Sequence, residues 1–281
     1  MATTEKAAGR PRILAHLGLI LFGLVMLYPL IWTLSSSFKP TNEIFSSPGL
    51  WSDHFTAANY AEGWTALAHP FHRYILNSLV VVAGSIIGNL LACSLAAYAF
   101  ARLEFRYKKL WFAIMLGTIM LPIHVVIVPQ YVLFSQLDWI NTYWPLIVPK
   151  LLATDAFFVF LMVQFIRGIP RELDEAARID GCGHTGIFWR IIMPMSLPAL
   201  ATTAIFTFIW TWNDFFSQLI FLTDPDMYTV PVALRTFVDA TSQTPWGPVF
   251  AMSIVALGPI FGFFLAGQRY LVRGIATTGL K

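Results

Sequence analysis

Residues able to carry chemistry are sparse in this 281-residue sequence, and two of them stand where ionisable groups are rarely found. Asp155 and Asp214 both lie inside strongly apolar runs. A carboxylate in such a setting is costly and normally faces a partner or a water-filled path. Asp214 also belongs to a series, Thr203, Thr207, Thr211, Asp214 and Gln218, spaced four, four, three and four, which places all five on one face of a helix. Trp210, Asn213 and Ser217 lie beside it. Aromatic faces next to hydrogen-bonding groups suit a sugar, whose ring offers apolar CH patches and hydroxyl edges. Asp155, Trp210, Thr211, Asn213, Asp214, Ser217 and Gln218 are therefore candidates for lining a passage for a polar solute. For the threonines, hydrogen bonding within or between helices is the competing reading. Lys150 reads as a side chain that snorkels outward.

Other chemistry finds little support. The six histidines are scattered, and only His69 and His72 are close, in a connection where a solvated role fits. Cys182 beside His184 falls short of the three or four ligands of a zinc site. Cys93 lies in an apolar run and Cys182 in a polar loop, so no disulfide is expected. A membrane enzyme would show clustered His, Glu, Asp or Ser groups at an active site, and the scattered histidines argue against one. The chain also lacks the G-x-x-x-x-G-K-[ST] phosphate loop, so an ATP-driven process would take hydrolysis from another chain. An ion-coupled secondary transporter is the alternative, relaying protons or sodium through intramembrane carboxylates. Two isolated aspartates make a sparse relay.

A second cluster lies in a polar island. Residues 170–198 carry three arginines, six prolines or glycines and an acidic group, in a chain that is otherwise 57% hydrophobic. Pro170 suits a helix start, Glu172, Asp174 and Glu175 favour the positive end of the helix dipole, and Asp174 can pair with Arg178 four residues on. Gly181 suits the stop that follows. Thr185, or less well His184, would cap a second helix running to Pro194. The first of these helices is compact, with Ala176 and Ala177 facing outward, a shape able to enter a groove on another protein. The competing reading is an amphipathic loop resting on lipid headgroups.

The elements that must hold these groups are membrane helices. Charged residues make up 12% and the mean hydropathy is +0.66, too little polar surface for a soluble globule of this length. Six apolar segments of about 20 residues or more are predicted, at 13–34, 76–101, 110–133, 146–166, 197–222 and 249–271. They are continuously apolar, unlike the alternating strands of a barrel, so the fold class is all-α with six transmembrane helices. With both termini cytoplasmic, 14 of the 18 Lys and Arg residues lie inside, leaving Lys39, Arg73, Lys150 and Arg235, in accord with the positive-inside rule. Trp51, Trp64, Trp139, Trp144 and Trp246 then fall at the outer interface, and the first apolar run is long enough to be retained as a span. This gives a tail at 1–12, a membrane domain at 13–271 with a cytoplasmic loop at about 167–196, and a tail at 272–281. Gly84, Gly88, Ala92 and Ala96, and separately Gly258 and Gly262, form small-residue faces for close helix packing. Pro122, Pro129 and Pro259 fall inside spans, where each can kink the helix. The modest positive charge suits cytoplasmic loops beside anionic membrane lipid, and nothing points to nucleic acid.

The loop Glu175-Ala176-Ala177-x3-Gly181-x9-Ile191-x-Met193-Pro194 resembles the signature loop of permease subunits of binding-protein-dependent ABC importers, with Met193 in place of the usual leucine. The likeness extends to Tyr28-Pro29-Leu30, Ser37-Phe38-Lys39, Asn77-Ser78, Trp212-Asn213-Asp214, Gln268-Arg269-Tyr270 and Arg273-Gly274. Together these are similar to the second permease of maltose-type and glycerol-phosphate-type carbohydrate importers. The resemblance implies a type I importer permease in a bacterial or archaeal inner or plasma membrane. Its partners would be a second related permease, an ATPase dimer and an extracytoplasmic binding protein. It implies no cofactor on this chain, with ATP and Mg on the ATPase subunits. Residues 171–180 would be the coupling helix, with Glu172, Glu175, Ala176, Ala177, Asp180 and Gly181 as contact residues and Glu175 the anchor. Residues 274–281 resemble a tail that reaches between the ATPase subunits, with Thr277-Thr278 departing from the usual small-residue run.

Overall fold

A computed structural model describes residues 9–238 and 244–278, and all regular structure among them is helical. Four helical stretches, one of them 144–167 with a short interruption, are long and apolar enough to cross a membrane, and the count reaches six when each of two bent helix pairs is taken as one span. The chain divides into two compact units.

The first unit comprises residues 1–67 with 237–255. Its helix α1 (Gly9–Ser36) starts before residue 13, where the span was expected, and exposes apolar side chains such as Leu19, Leu21 and Phe22. That is the surface expected of a helix facing lipid. After it, α2 (Ala58–Thr65) and a loop are held by polar contacts. Asn59 donates to the carbonyls of Ser37 and Lys39, at 2.8 Å each. Lys39 is fully buried, and its ammonium donates to the carbonyls of Ser47 (3.0 Å) and Gly49, so it closes a loop.

The second unit comprises residues 68–236 with 256–281. Its centre is α3 (Phe71–Arg102), whose 32 residues span about 48 Å at 1.5 Å per residue. Cys93, Ala97 and Ala101 on one side of α3 pack with Phe158, Met162 and Ile166 of α7 (Ala156–Arg167). The Gly84–Gly88 face meets α6 (Trp144–Leu151): a Cβ at Gly88 would lie 3.0 Å from the Leu151 backbone nitrogen. The second predicted small-residue face, Gly258–Gly262, has no described residue against it.

Three predicted spans are broken where a continuous helix was expected. The third becomes α4 (Lys108–Thr118) and α5 (Ile123–Gln136), bent by 100°. Pro122 sits at that break, consistent with its missing N–H and fixed φ, whereas Pro129 is accommodated inside α5. The fourth is divided between α6 and α7, with Ala153 in the left-handed region (φ 55°) at the division. A non-glycine residue held there is strained, a condition that clusters at functional sites. The fifth was expected at 197–222 but its helix stops at Asn213. Two short helices precede Pro198: α8 (Glu172–Ile179) and then a helix over His184–Met195, here α9, with a π-type stretch at Phe188–Ile192. α10 (Leu197–Asn213) follows at 75° to α9. Beyond it come α11 (Phe216–Phe221), α12 (Val230–Thr236) and α13 (Trp246–Thr278). The helical path of α13 carries the C-terminal segment through Thr278, so residues 274–278 continue the last helix, and 279–281 lie outside the described residues.

Candidate functional site: a polar passage and a docking helix

The predicted polar stripe on the fifth span is interrupted, because the backbone turns extended at Asp214 (φ −70°, ψ 95°). Asn and Asp compete with helical hydrogen bonds through their short side chains, and this pair ends the helix. The Asp214 carboxylate accepts the backbone N–H of Ser217 at 3.1 Å, in the first turn of α11. Asn213 bonds back to the Ile209 carbonyl at 2.7 Å. Gln218 is buried, donating to the Thr211 carbonyl at 2.9 Å and accepting from Thr229. Thr203 and Thr207 are buried as well, so the upper part of the stripe packs between helices and only the part around Asp214 is open.

Asp155 is likewise not the isolated carboxylate the sequence implied. Lys150, read as snorkelling outward, instead turns to Asp155, its ammonium 3.0 and 2.9 Å from the two carboxylate oxygens. Asn89 of α3 donates to the same carboxylate at 2.7 Å and to Thr207 of α10 at 3.0 Å. One buried amide therefore ties α3, the division between α6 and α7, and α10 together. Neither Asn89 nor the Lys150 pairing was predicted. An Asn at the level of the Gly88 packing face is the signal that could have found the first.

Two cavities open onto these groups. One, of about 610 Å³, is lined by Gln130, Lys150, Asp155, Asp214 and Ser217. The other, of about 620 Å³, is lined by Lys150, Trp210, Thr211, Asn213, Asp214, Ser217 and Gln218. The seven predicted passage residues thus divide between two cavities that share Asp214, Ser217 and Lys150. Trp210 is half-exposed and leans on Phe157 and Phe158, with ring centroids 5.2 and 5.1 Å away. The arrangement offers hydroxyl, amide and carboxylate groups beside an indole face, at a place where two spans are broken.

The polar island folds as predicted in outline and differently in detail. α8 ends in a paired-bond cap: Gly181, at φ 82°, donates to the Arg178 carbonyl (3.0 Å) and Cys182 to that of Ala177 (2.8 Å). Asp174 does not pair with Arg178. It turns inward to Arg102 at the end of α3, 3.0 Å away, with both side chains almost closed to water. A second Arg102 nitrogen donates to the Ile169 carbonyl at 2.7 Å. Of the two alanines expected to face outward, Ala177 is buried and Ala176 is exposed. Glu172, Glu175, Asp180 and Gly181 are exposed with it. Gly183, not Thr185 or His184, occupies the cap position of α9. His184 instead approaches the Tyr98 hydroxyl at 3.3 Å, and at the other end of α3 His69 pairs with Asp226, so neither histidine is simply solvated. Cys93 and Cys182 are both free, and no group of three metal-ligating side chains occurs among the described residues.

Broken apolar spans around polar cavities, with an amphipathic helix fixed at one end of the bundle, define a polytopic transport protein. The chain belongs to the family of binding-protein-dependent transport system inner membrane components, which it matches over residues 84–277. It is 36% identical over 263 residues to the probable ABC transporter permease protein YurM of Bacillus subtilis, covering 94% of this chain and 86% of that one. It is 33% identical over 270 residues to the trehalose/maltose transport system permease protein MalG of Thermococcus litoralis, covering 96% and 97%. Its fold matches a chain in the crystal structure of a bacterial ABC transporter involved in import of the acidic polysaccharide alginate, with a TM-score of 0.82 at 19% identity, covering 96% and 99%.

Proposed function

We propose that this chain forms half of the translocation pathway of an ATP-driven importer for a sugar or related polar solute. A second, related permease would form the other half. An extracytoplasmic binding protein would deliver solute, and two ATPase subunits carrying ATP and Mg would drive the cycle. The observation that carries this reading is the orientation of α8: its Asp174 side is fastened to α3 through Arg102, which leaves Glu172, Glu175, Ala176 and Asp180 free to enter a cleft on another protein. A short helix with one bonded face and one open, acidic face transmits a push from outside directly to the membrane helix it is bonded to. Closure of the ATPases would then rock the permeases between inward-open and outward-open states as a rigid-body movement.

On this reading the loop-bearing end and both termini are cytoplasmic, in keeping with the charge asymmetry. Asp155, Trp210, Thr211, Asn213, Asp214, Ser217 and Gln218 belong to the solute path, Gln218 from a buried position that shapes its wall. The trehalose/maltose relative supports the sugar assignment, and so does the indole face beside hydroxyl and amide groups. The test is co-purification of the chain with an ATPase subunit, followed by ATP-dependent uptake in proteoliposomes. Glu175→Lys is expected to abolish uptake while the chain remains folded. Unchanged uptake in that variant, or uptake driven by an ion gradient with this chain alone, defeats the proposal.

A further inference from the structure

A third cavity, of about 570 Å³, lies away from both sites, between the end of α3, the start of α4 and the end of α7. Three cations line it: Lys108, Lys109 and Arg167. Lys108 is accounted for, since its ammonium donates to the Leu103 carbonyl (2.7 Å) and to the Glu104 carboxylate (3.1 Å). Lys109 and Arg167 enter none of the ion pairs found among the described residues, and both are exposed. The Arg167 guanidinium instead lies over the Phe112 ring, 5.2 Å from its centre. Phe100 joins the wall, 5.4 Å from Phe112 and 5.7 Å from Phe105 between ring centroids. The cavity therefore combines an aromatic floor with two positive charges left over after Glu104 is counted.

Its level in the molecule narrows the ligand. The helix continuing from α6 ends as a candidate span at Arg167, and that of α3 ends at Arg102, so the cavity sits where hydrocarbon gives way to polar surface. Apolar surface is part of the cavity itself, since Phe100, Phe105 and Phe112 line it beside the cations and Phe105 is exposed. A soluble anion would use the cations and leave those rings uncovered. A phospholipid with a net negative headgroup uses both.

We propose that this cavity is a binding site for one anionic phospholipid, its phosphate between Lys109 and Arg167 and its acyl chains leaving past the Phe105 and Phe112 rings. Basic pockets between membrane helices hold lipid headgroups in this way. Because Arg167 directly precedes the segment leading into α8, occupancy would also brace the end of α7 from which that helix is reached.

The probe is phosphatidylglycerol against phosphatidylcholine, in nanodiscs holding the full chain with whatever subunits purify with it, read as lipid retained per protein by mass spectrometry. Phosphatidylglycerol should be retained selectively. Lys109→Gln and Arg167→Gln should each lower that retention roughly fivefold, as a contribution of about 1 kcal/mol per cation at a membrane surface implies. Lys109→Arg should keep it. Arg190→Gln, which removes an exposed cation outside the cavity, should leave it unchanged. Retention that ignores headgroup charge, falls as much in Arg190→Gln as in Lys109→Gln, or is displaced by millimolar glycerol phosphate would overturn the proposal, the last by assigning the site to a soluble phosphate. A fall in Lys109→Gln that Lys109→Arg does not restore would also count against it, by tracing the loss to altered packing.

Discussion

Two aspartates in this molecule each hold a cation at nearly the same distance, yet their surroundings give the two pairs opposite uses. Arg102 and Asp174 meet at 3.0 Å with side chains 3% and 7% exposed, and Lys150 and Asp155 meet at 2.9 Å with side chains 29% and 24% exposed. The first pair is dry. Opening it strands a charge away from water, which costs several kcal/mol, so it works as a fixed joint between α8 and α3. The second pair faces a cavity, where water or a solute hydroxyl can take over one partner's hydrogen bonds at little cost. Under the proposed function, burial, more than charge or distance, separates the part that would transmit movement from the part that would meet solute.

The largest effect is expected at the dry pair. Asp174→Ala should cost about 3–5 kcal/mol, seen as a large drop in the thermal midpoint of the purified protein, because Arg102 is left buried and unpaired. Combining Arg102→Met with Asp174→Leu should recover most of that loss. A small effect of the single change would mean that the joint is not dry. Gly88→Val comes next, at about 1–3 kcal/mol, since the added carbons press on the α6 backbone beside Lys150. At the wet pair, Lys150→Met should cost only about 1 kcal/mol, because Asp155 keeps its Asn89 bond and its access to the cavity. Its larger effect should appear in solute uptake. Asn213→Ala is the smallest change expected, within about 0.5 kcal/mol, since the amide bonds only its own helix. A lowered uptake in Asn213→Ala with an unchanged thermal midpoint would sharpen the division between joint and passage.

Much of this architecture is legible in residue order. Continuous apolar runs determine membrane helices without tertiary information, and the acidic first turn and Gly181 mark the start and stop of α8 by local backbone chemistry alone. The breaks in the spans are harder to read. Pro122 and Pro129 have the same chemistry, yet only Pro122 marks a 100° bend, because neighbouring helices decide whether a proline's lost hydrogen bond ends a helix. Pair identities are the least legible. Arg178 is the obvious local partner for Asp174 at helical spacing, but Arg102, 72 positions earlier, is brought to it by the packing of α3, and nothing in the spacing encodes that. Residue type marked the candidates for the passage without their partners: Gln218 is tied to Thr229 and Asp155 to Asn89, contacts that form only when separate elements pack.

In the proposed cycle, force enters through the exposed face of α8. Its most direct test is ATP-dependent solute accumulation by the reconstituted complex carrying Glu175→Lys, measured beside ATP hydrolysis and subunit co-purification. A folded chain with weakened ATPase association and no accumulation is the expected result. Full accumulation with Glu175 reversed in charge would contradict it.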